Sequence, residues 1–377
     1  MNIVYVSNEG YARHLGVSIC SLFDSNADEE RLEVFILDTG ITPDSREKLT
    51  QIARSFGRTL TFIQLKDLEE RFAVRLDTGR SAVRLDTGQS AVRLDTGRFD
   101  VSTMGRLFAA DLLPAGVRRV LYLDCDTVVL KPLRRLWETG LGKADGAGTG
   151  SAGTGSAGTG SARPAVAGKA GTGYVMAAVQ EPTIYEEVKE YLGMRKEDPY
   201  FNAGVLLIDL KRWRTERLTD KVISYYAEIA EQSLFNDQDA LNGLLKGRIR
   251  TLSPRWNFFT NYRYFRYDTL CRMQPAYRRI PEEVFRKAKR SPAVIHYAGD
   301  ERPWRAGALN YYGKAYERYL AMTPWKDTPK EKGKELFLLL YHGMELVTPV
   351  FPFIRAAISR AYVRKCIAAR KARQEKK

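Results

Sequence analysis

The chain has few cysteines, and they lie far apart in the sequence. Its 377 residues include four, at Cys20, Cys125, Cys271 and Cys366, and no C-x-x-C pair occurs. This spacing argues against a disulfide framework and against a structural zinc site. A reducing compartment is therefore the simpler interpretation.

Signals for export or membrane insertion are also missing. The residues after Met1 read as a strand, without the basic and apolar regions of a signal peptide. The longest apolar stretch, 336–354, is too short to span a bilayer because two prolines, a histidine and a glutamate interrupt it. We expect a cytoplasmic protein.

Negative charge is scarce relative to positive charge. The net charge is +15 and the pI is about 9.6, which points to an anionic partner: nucleotide phosphates, a membrane surface or nucleic acid. Nine lysines and arginines lie in 355–377, directly after the apolar stretch. This order predicts that 330–377 is a basic amphipathic segment, peripheral on the inner face of the cell membrane. A solubilising tail or a docking helix is the alternative.

The first 65 residues alternate between strand and helix patterns. Apolar runs at 3–6, 32–37 and 59–65 read as strands, with helices after Tyr11 and after Thr42-Pro43. Thr42 and Pro43 form a good N-cap and first-turn pair. The βαβ order predicts an α/β fold with parallel strands.

Two repetitive stretches interrupt this pattern and read as insertions. Ala-Val-Arg-Leu-Asp-Thr-Gly recurs at 73, 82 and 91, a period too short for a solenoid. Residues 144–173 repeat Gly-Thr-Gly-Ser-Ala, a flexible-coil composition. A phosphate-binding glycine loop is rejected there because no strand precedes the glycines and no helix follows them.

An Asp-x-Asp pair follows a predicted strand at 119–123. Asp124 and Asp126 would repel each other at the end of a buried strand unless a cation lay between them. Their oxygens suit Mg²⁺ or Mn²⁺, and His296, at the end of a second predicted strand (291–297), tilts the choice towards Mn²⁺. The alternatives without a metal are that Asp124 and Asp126 lie in a solvated turn and that His296 has a structural role.

Amide and acid side chains lie between these two strands, beside apolar runs at 200–209 and 236–242. Such groups suit recognition of sugar hydroxyls. With these motifs in this order, the chain resembles glycosyltransferase family 8. These are retaining α-glycosyltransferases with a GT-A fold, a single mixed Rossmann-like sheet flanked by helices, and include bacterial lipopolysaccharide galactosyl- and glucosyltransferases and glycogenin.

The resemblance implies a role for each matching residue. Metal ligands would be Asp124, Asp126 and His296, and catalytic residues Asp237, Gln238 and Asp239. Donor contacts would be Ser7, Asn8, Tyr11, Arg106, Asp124, Cys125, Asn202, Gly299 and Arg302. Cys125 is expected to point to the opposite face of the strand rather than to bind metal. Two departures are Asn8, where the family often has an acid, and Arg302, where it usually has lysine.

The resemblance covers roughly residues 1–304 once the two repeats are set aside, and it implies an activity. The protein would move glucose or galactose from a UDP-sugar to a glycan or glycolipid with Mn²⁺ or Mg²⁺. We expect residues 1–329 to form the catalytic domain. No closely spaced nucleophile pair is evident, so front-face departure of the diphosphate is expected, with Gln238 or Asp239 shielding the cationic centre as the alternative.

Three rival functions stay open at this point. One is a nucleotidyltransferase acting on sugar phosphates, which would release pyrophosphate. Another is a nucleic-acid-binding protein that stacks bases on the aromatic cluster 261–267, although we expect no nucleic-acid partner. The third is a scaffold that has lost activity.

Overall fold

The described part of the chain covers most of the predicted catalytic domain and the C-terminal segment. The computed structural model describes residues 1–66, 71, 101–142, 173–259 and 261–374. The first predicted insertion, 73–97, lies outside these residues, as does the second, 144–173, except for Gly173.

The start of the chain forms the predicted alternation of strands and helices. Its elements are β1 (Asn2–Ser7), α1 (Ala12–Ser25), β2 (Glu33–Asp38), α2 (Pro43–Ser55) and β3 (Leu60–Gln64). β2 lies between β1 and β3 and is parallel to both. The Thr42 hydroxyl accepts a hydrogen bond from the Ser45 backbone N–H at 3.2 Å, so the predicted cap begins α2.

The other described strands and helices follow in chain order. The strands are β4 (Arg119–Leu123), β5 (Thr127–Val129), β6 (Met176–Gln180), β7 (Phe201–Asp209), β8 (Ile249–Thr251), β9 (Phe258–Phe259) and β10 (Val294–His296). The helices are α3 (Ala109–Leu112), α4 (Arg134–Trp137), α5 (Glu186–Tyr191), α6 (Leu210–Thr215), α7 (Leu218–Ile229), α8 (Asp237–Leu244), α9 (Asn261–Tyr264), α10 (Tyr267–Met273), α11 (Glu282–Arg290), α12 (Gly313–Leu320), α13 (Glu335–Val347) and α14 (Pro352–Gln374). Short 3-10 helices span Glu9–Tyr11, Val101–Phe108, Pro254–Trp256 and Pro275–Arg279.

The described strands form one large mixed sheet and one small sheet. The large sheet has seven strands in the order β3-β2-β1-β4-β7-β6-β8. β1 and β4 are parallel, whereas β7 is antiparallel to both β4 and β6. The predicted mixed α/β fold is confirmed, and a three-stranded sheet, β5-β10-β9, stands beside it. That second sheet was not predicted.

The large sheet separates two apolar cores. Side chains of β4 alternate between them: Leu121 and Leu123 pack in one, Val120 and Tyr122 in the other. The strand is buried along almost its whole length, and its carboxyl end leads directly into Asp124. The Asp-x-Asp segment therefore begins where the core ends.

The C-terminal segment consists of α13 and α14. No helix among the described residues has the length and apolar content needed to cross a bilayer. The two helices and the connection between them nevertheless leave many apolar side chains exposed: Leu336, Phe337, Leu339, Leu340, Leu346, Val350, Phe351, Phe353, Ile354 and Ile358. We call these residues the apolar face of the C-terminal segment.

Candidate active site

Two strand ends bring Asp126 and His296 together. β10 pairs antiparallel with β5, with His296 opposite Thr127, and the Tyr297 N–H donates to the Asp126 carbonyl at 2.9 Å. His296 Nε2 lies 3.2 Å from Asp126 Oδ1 and 3.6 Å from Asp124 Oδ2. One potential ligand atom from each of these three residues lies within 4.8 Å of the other two. The structure thus assembles all three predicted metal ligands.

Charges at this cluster are strongly coupled. Burial lowers the pKa of His296, but the carboxylates of Asp126 and Asp124 outweigh that effect and raise it above the ordinary imidazole value. Burial raises the pKa of Asp126, but His296 and Arg302 hold it well below its usual range. Asp126 is therefore charged at neutral pH, with His296 and Arg302 as its positive neighbours.

The donor atoms suit a divalent cation. Two carboxylates and one imidazole form a mixed oxygen and nitrogen set, which fits Mn²⁺ and can accept Mg²⁺. The Nδ1 atom of His296 lies 2.9 Å from Asn257 Oδ1, so Nδ1 can donate there while Nε2 faces the acids. That outer hydrogen bond is typical of metal-binding histidines.

Arg106 joins this cluster to the start of α8. Its guanidinium lies 3.2 Å from Asp124 Oδ1 and 2.9 Å from Asp237 Oδ2, and it stacks on Tyr122 with its Cζ atom 4.5 Å from the ring centroid. It also donates to the carbonyl oxygens of Thr103 and Ala203. Because Arg106 is almost fully buried, these contacts fix its position.

Arg302 approaches the cluster from the loop after β10. Its Nη2 atom lies 3.6 Å from Asp126 Oδ2, and Nη1 donates to the Tyr11 hydroxyl at 2.8 Å. Its Nε donates to the carbonyl of Gly299, whose φ of 95° favours glycine. Tyr11, Gly299 and Arg302, distant in sequence, therefore lie together beside Asp126.

A chain of amides leads away from His296. Asn257 donates to Asn202 Oδ1 at 2.9 Å, and Asn202 donates to Glu181 Oε2 at 2.9 Å. Partial burial raises the pKa of Glu181, a half-buried acid beside this chain. Asn202 was predicted, whereas Asn257 and Glu181 were missed. Each follows a short element, and nothing in its sequence context marks it.

Tyr122 and Gly204 were also missed, although a signal existed for Tyr122. Strand alternation places Tyr122 on the same face as Asp124, and its hydroxyl donates to Asp124 Oδ1 at 2.6 Å. Gly204 on β7 accepts a hydrogen bond from the Asp124 N–H at 2.8 Å, and its missing side chain leaves room for His296. Only the fold reveals the closeness of Gly204.

The three catalytic candidates on α8 have different surroundings. Asp237 contacts Arg106, and burial raises the pKa of Asp237 to about 6 against the lowering effect of Arg106. Gln238 accepts from the Ala203 N–H at 2.9 Å and donates to the Tyr200 hydroxyl at 3.2 Å, which ties it to β7.

Asp239 is turned towards the protein interior. It is fully buried, and its carboxylate accepts hydrogen bonds from the hydroxyls of Tyr191, Tyr200 and Ser233 and from two backbone N–H groups, those of Leu234 and Phe235. The structure therefore does not bring Asp239 into the cluster. These contacts make it a support for the turn that precedes α8.

The remaining predicted donor contacts lie around the end of β1. Ser7 is buried there, and Asn8 caps the following 3-10 helix by accepting from the Tyr11 N–H at 3.2 Å. The Cys125 thiol donates to the Val6 carbonyl at 3.2 Å and packs in the core opposite Tyr122. The Cys125 side chain thus faces away from Asp124, and only its backbone remains near the cluster.

The aromatic cluster 261–267 is not a free stacking surface. Tyr262 and Phe265 are buried in the core, and the Tyr262 hydroxyl donates to the Gln180 carbonyl at 2.6 Å. Arg263 stacks on Tyr311, with its Cζ atom 4.0 Å from the ring centroid. Buried rings cannot accept bases, so Tyr262 and Phe265 are not available for stacking, whereas Tyr264 and Tyr267 are half-buried.

A comparison with known protein families decides the assignment. Residues 2–308 match the family model described as glycosyl transferase family 8. The chain belongs to this family. The match spans both strand ends of the cluster, Arg106 and the start of α8. It favours sugar transfer over the nucleotidyltransferase alternative.

Curated relatives of this family 8 chain include bacterial proteins. General stress protein A of Bacillus subtilis is 24% identical over 328 residues, which cover 86% of this chain and 94% of the relative. Lipopolysaccharide 1,2-glucosyltransferase of Escherichia coli K12 is 29% identical over 237 residues, 61% of this chain and 57% of the relative.

Solved structures agree with the GT-A fold. The galactosyltransferase LgtC, in complex with donor and acceptor sugar analogs, matches with a TM-score of 0.62 and 23% identity. The match covers 86% of this chain and 96% of LgtC. At this identity the likeness establishes the fold and leaves the choice of sugar open.

Proposed function

We propose that this family 8 chain is a retaining glycosyltransferase that moves a hexose, glucose or galactose, from a UDP-sugar to a glycan or glycolipid, with Mn²⁺. The observation that carries the proposal is the cluster of Asp124, Asp126 and His296 beside Arg302. Two acids and an imidazole would hold the cation, and a guanidinium next to them suits a diphosphate.

The proposed donor pocket extends in two directions from this cluster. Ser7, Asn8 and Tyr11, at the end of β1, would contact the uridine. Arg106, Asn202, Asp237 and Gln238 would face the transferred sugar. Arg106 contacts Asp124 directly, and Asn202 is linked to His296 through Asn257. Asp237 holds Arg106, and Gln238 is bonded to β7. Gly299 and Arg302 would contact the diphosphate.

The main catalytic role of these residues would be to stabilise the negative charge of the departing diphosphate. When bound, the cation offsets the negative charge that develops as the UDP leaves. Arg302 would donate to the diphosphate, and the Tyr11 hydroxyl would keep the guanidinium aligned. In front-face departure, a diphosphate oxygen accepts the proton of the acceptor hydroxyl, so no protein base is needed.

Gln238 is the residue of α8 best suited to lie next to the reacting sugar. Its amide is anchored at both ends, which would hold its dipole near the anomeric carbon without a covalent bond. Asp239 is less suited, because five donors already occupy its carboxylate. We therefore assign Asp239 a supporting role in the reaction.

The acceptor is proposed to reside at a membrane, in a lipopolysaccharide-type or other cell-surface glycolipid. Support comes from the apolar face of the C-terminal segment and from the basic residues that follow it on α14. Binding of 330–377 to anionic lipid would hold the catalytic domain, 1–329, at the inner surface of the membrane.

A donor screen tests the proposal. Purified full-length protein is incubated with Mn²⁺ and UDP-glucose, UDP-galactose or their N-acetyl forms, and UDP release is measured with and without a chelator. We expect release from one hexose donor, its loss with chelator, and at least about 100-fold slower release by Asp126→Asn. Asp44→Asn, an exposed acid of α2, is the control. Pyrophosphate release, or chelator-insensitive turnover, would contradict the proposal.

A further inference from the structure

A second cluster of titratable side chains lies between the catalytic domain and the C-terminal segment. Glu301, in the loop after β10, meets His342 and Glu345 of α13, and one potential ligand atom from each lies within 4.8 Å of the other two. Glu301 and Glu345 are buried, with 1% and 4% of their surface exposed. Neither belongs to the proposed donor site.

The two glutamates cannot both be ionised without a large cost. Within the described part of the chain, neither Glu301 oxygen nor Glu345 Oε1 has a hydrogen-bond donor, while His342 Nδ1 lies 2.9 Å from Glu345 Oε2. Burial and the neighbouring Glu345 raise the pKa of Glu301 to about 9. A proton on Glu301 gives these two acids a shared hydrogen bond and removes their repulsion.

Glu301 is also adjacent to Arg302, which reaches the metal cluster. The backbone around Glu301 is tied to the same region: Asn310 donates to the Glu301 carbonyl at 2.8 Å, and the Leu309 N–H donates to His342 Nε2 at 3.0 Å. The loop 299–310 thus has Arg302 on one side and α13 on the other.

We propose that Glu301 is a positioning residue: by donating to Glu345 it fixes the C-terminal segment against the loop 299–310 and so holds Arg302 at Asp126. The segment then shapes the donor site in addition to any contact with a membrane. This inference rests on the proposed transfer function, since Arg302 is assigned there to the diphosphate.

Groups from every neighbouring element face the glutamate pair. They are His342 and Tyr341 of α13, Arg355 of α14 and Tyr264 of α9. Since the pKa of Glu301 is raised in the docked state, that state holds more protons than a detached state between about pH 4.5 and about pH 9. Docking is therefore strongest at low pH and weakens as pH rises through that window.

Substitutions of Glu301 test the positioning role by donor kinetics. Glu301→Ala removes the hydrogen bond, and we expect the donor KM to rise about tenfold with a smaller change in kcat. Glu301→Gln can still donate to Glu345, so its donor KM should match wild type near pH 7 and stay flat to about pH 9.5, where the wild-type KM rises. Glu317→Gln, an exposed acid of α12, is the control.

A double substitution tests whether the pair acts as one unit. If Glu301 works through Glu345, Glu301→Ala combined with Glu345→Ala should raise the donor KM no more than the larger single change. The proposal would be overturned if the rise in donor KM of the double variant equalled the product of the two single rises. It would also be overturned if the donor KM of Glu301→Gln depended on pH as that of wild type does.

Hydrogen exchange separates this inference from the proposed function. Exchange of α13 amides, corrected for intrinsic rates, should accelerate in Glu301→Ala and with rising pH in wild type, whatever substrate the enzyme uses. Unchanged exchange would overturn the proposed Glu301–Glu345 contact, while a failed donor screen alone would reject only the transfer function. The purified protein can also be analysed for divalent metal. A metal that is lost in Glu301→Gln but kept in Asp126→Asn would mean that a cation, and not a shared proton, joins Glu301 to Glu345. That result would overturn the proposal.

Discussion

A β-carbon on Gly204 would lie 2.7 Å from Nδ1 of His296 and 2.8 Å from Oδ2 of Asp124. Both distances are shorter than side chains tolerate, and neither neighbour is the free end of a flexible chain. Gly204→Ala should therefore displace a metal ligand. We expect Mn²⁺ affinity, measured by calorimetry, to fall roughly 10- to 100-fold.

Gly116→Ala is the matched control for that experiment, because no atom lies within 4 Å of its added β-carbon. It should bind Mn²⁺ as wild type does. Full Mn²⁺ affinity in Gly204→Ala would mean that His296 and Asp124 are not both ligands.

The stability of the protein should depend on pH through Asp237. Its pKa is about 6 in the folded protein against 3.8 for the free side chain, so folding retains a proton on Asp237 between these values. The contribution is complete below about pH 4 and is lost as pH rises to about 6. The loss should be about 3 kcal/mol, at about 1.4 kcal/mol for each pH unit.

Asp237→Asn should abolish that pH dependence, which is measured by chemical denaturation of both proteins at about pH 4, 5, 6 and 7. Asp209→Asn is the control, since its carboxylate caps α6 at a half-buried position. Parallel stability curves for wild type and Asp237→Asn would show that Arg106 keeps Asp237 charged throughout.

Arg302→Lys should weaken donor binding while keeping the charge. A lysine cannot at once contact Asp126, the Tyr11 hydroxyl and the Gly299 carbonyl as the guanidinium does. We expect the donor KM to rise about tenfold in Arg302→Lys and further in Arg302→Ala. Arg318→Lys, an exposed residue paired with Asp24, should change nothing. Equal KM values for all four proteins would exclude Arg302 from the donor site.

Binding to anionic vesicles should depend on the apolar face of the C-terminal segment. Replacing Leu340 and Phe353 by serine removes two exposed side chains, each contributing roughly 1.5–3 kcal/mol when buried in lipid. Flotation with vesicles containing phosphatidylserine should therefore fall at least about tenfold. Leu309→Ser, an exposed leucine outside α13 and α14, is the control. Equal flotation of all variants would locate the lipid contact elsewhere.

Much of the fold could be predicted because local patterns and tertiary structure agree. The strand at 119–123 was predicted with its observed bounds, since its apolar run ends abruptly at Asp124. β10 is shorter than the predicted strand at 291–297, because its partners β5 and β9 are themselves only three and two residues long. Pairing with neighbours, which the sequence does not state, decides how much of an apolar run becomes a strand.

By itself, the sequence determined the α/β class, the family and the identity of the groups that gather at the site, because apolar periodicity and motif order are local properties. Tertiary structure alone decided which groups meet. It placed Gly204 against His296, turned Asp239 away from the cluster, and buried Glu301 against Glu345. The reason is physical: contacts between residues far apart in sequence depend on strand order and packing, which no single segment encodes.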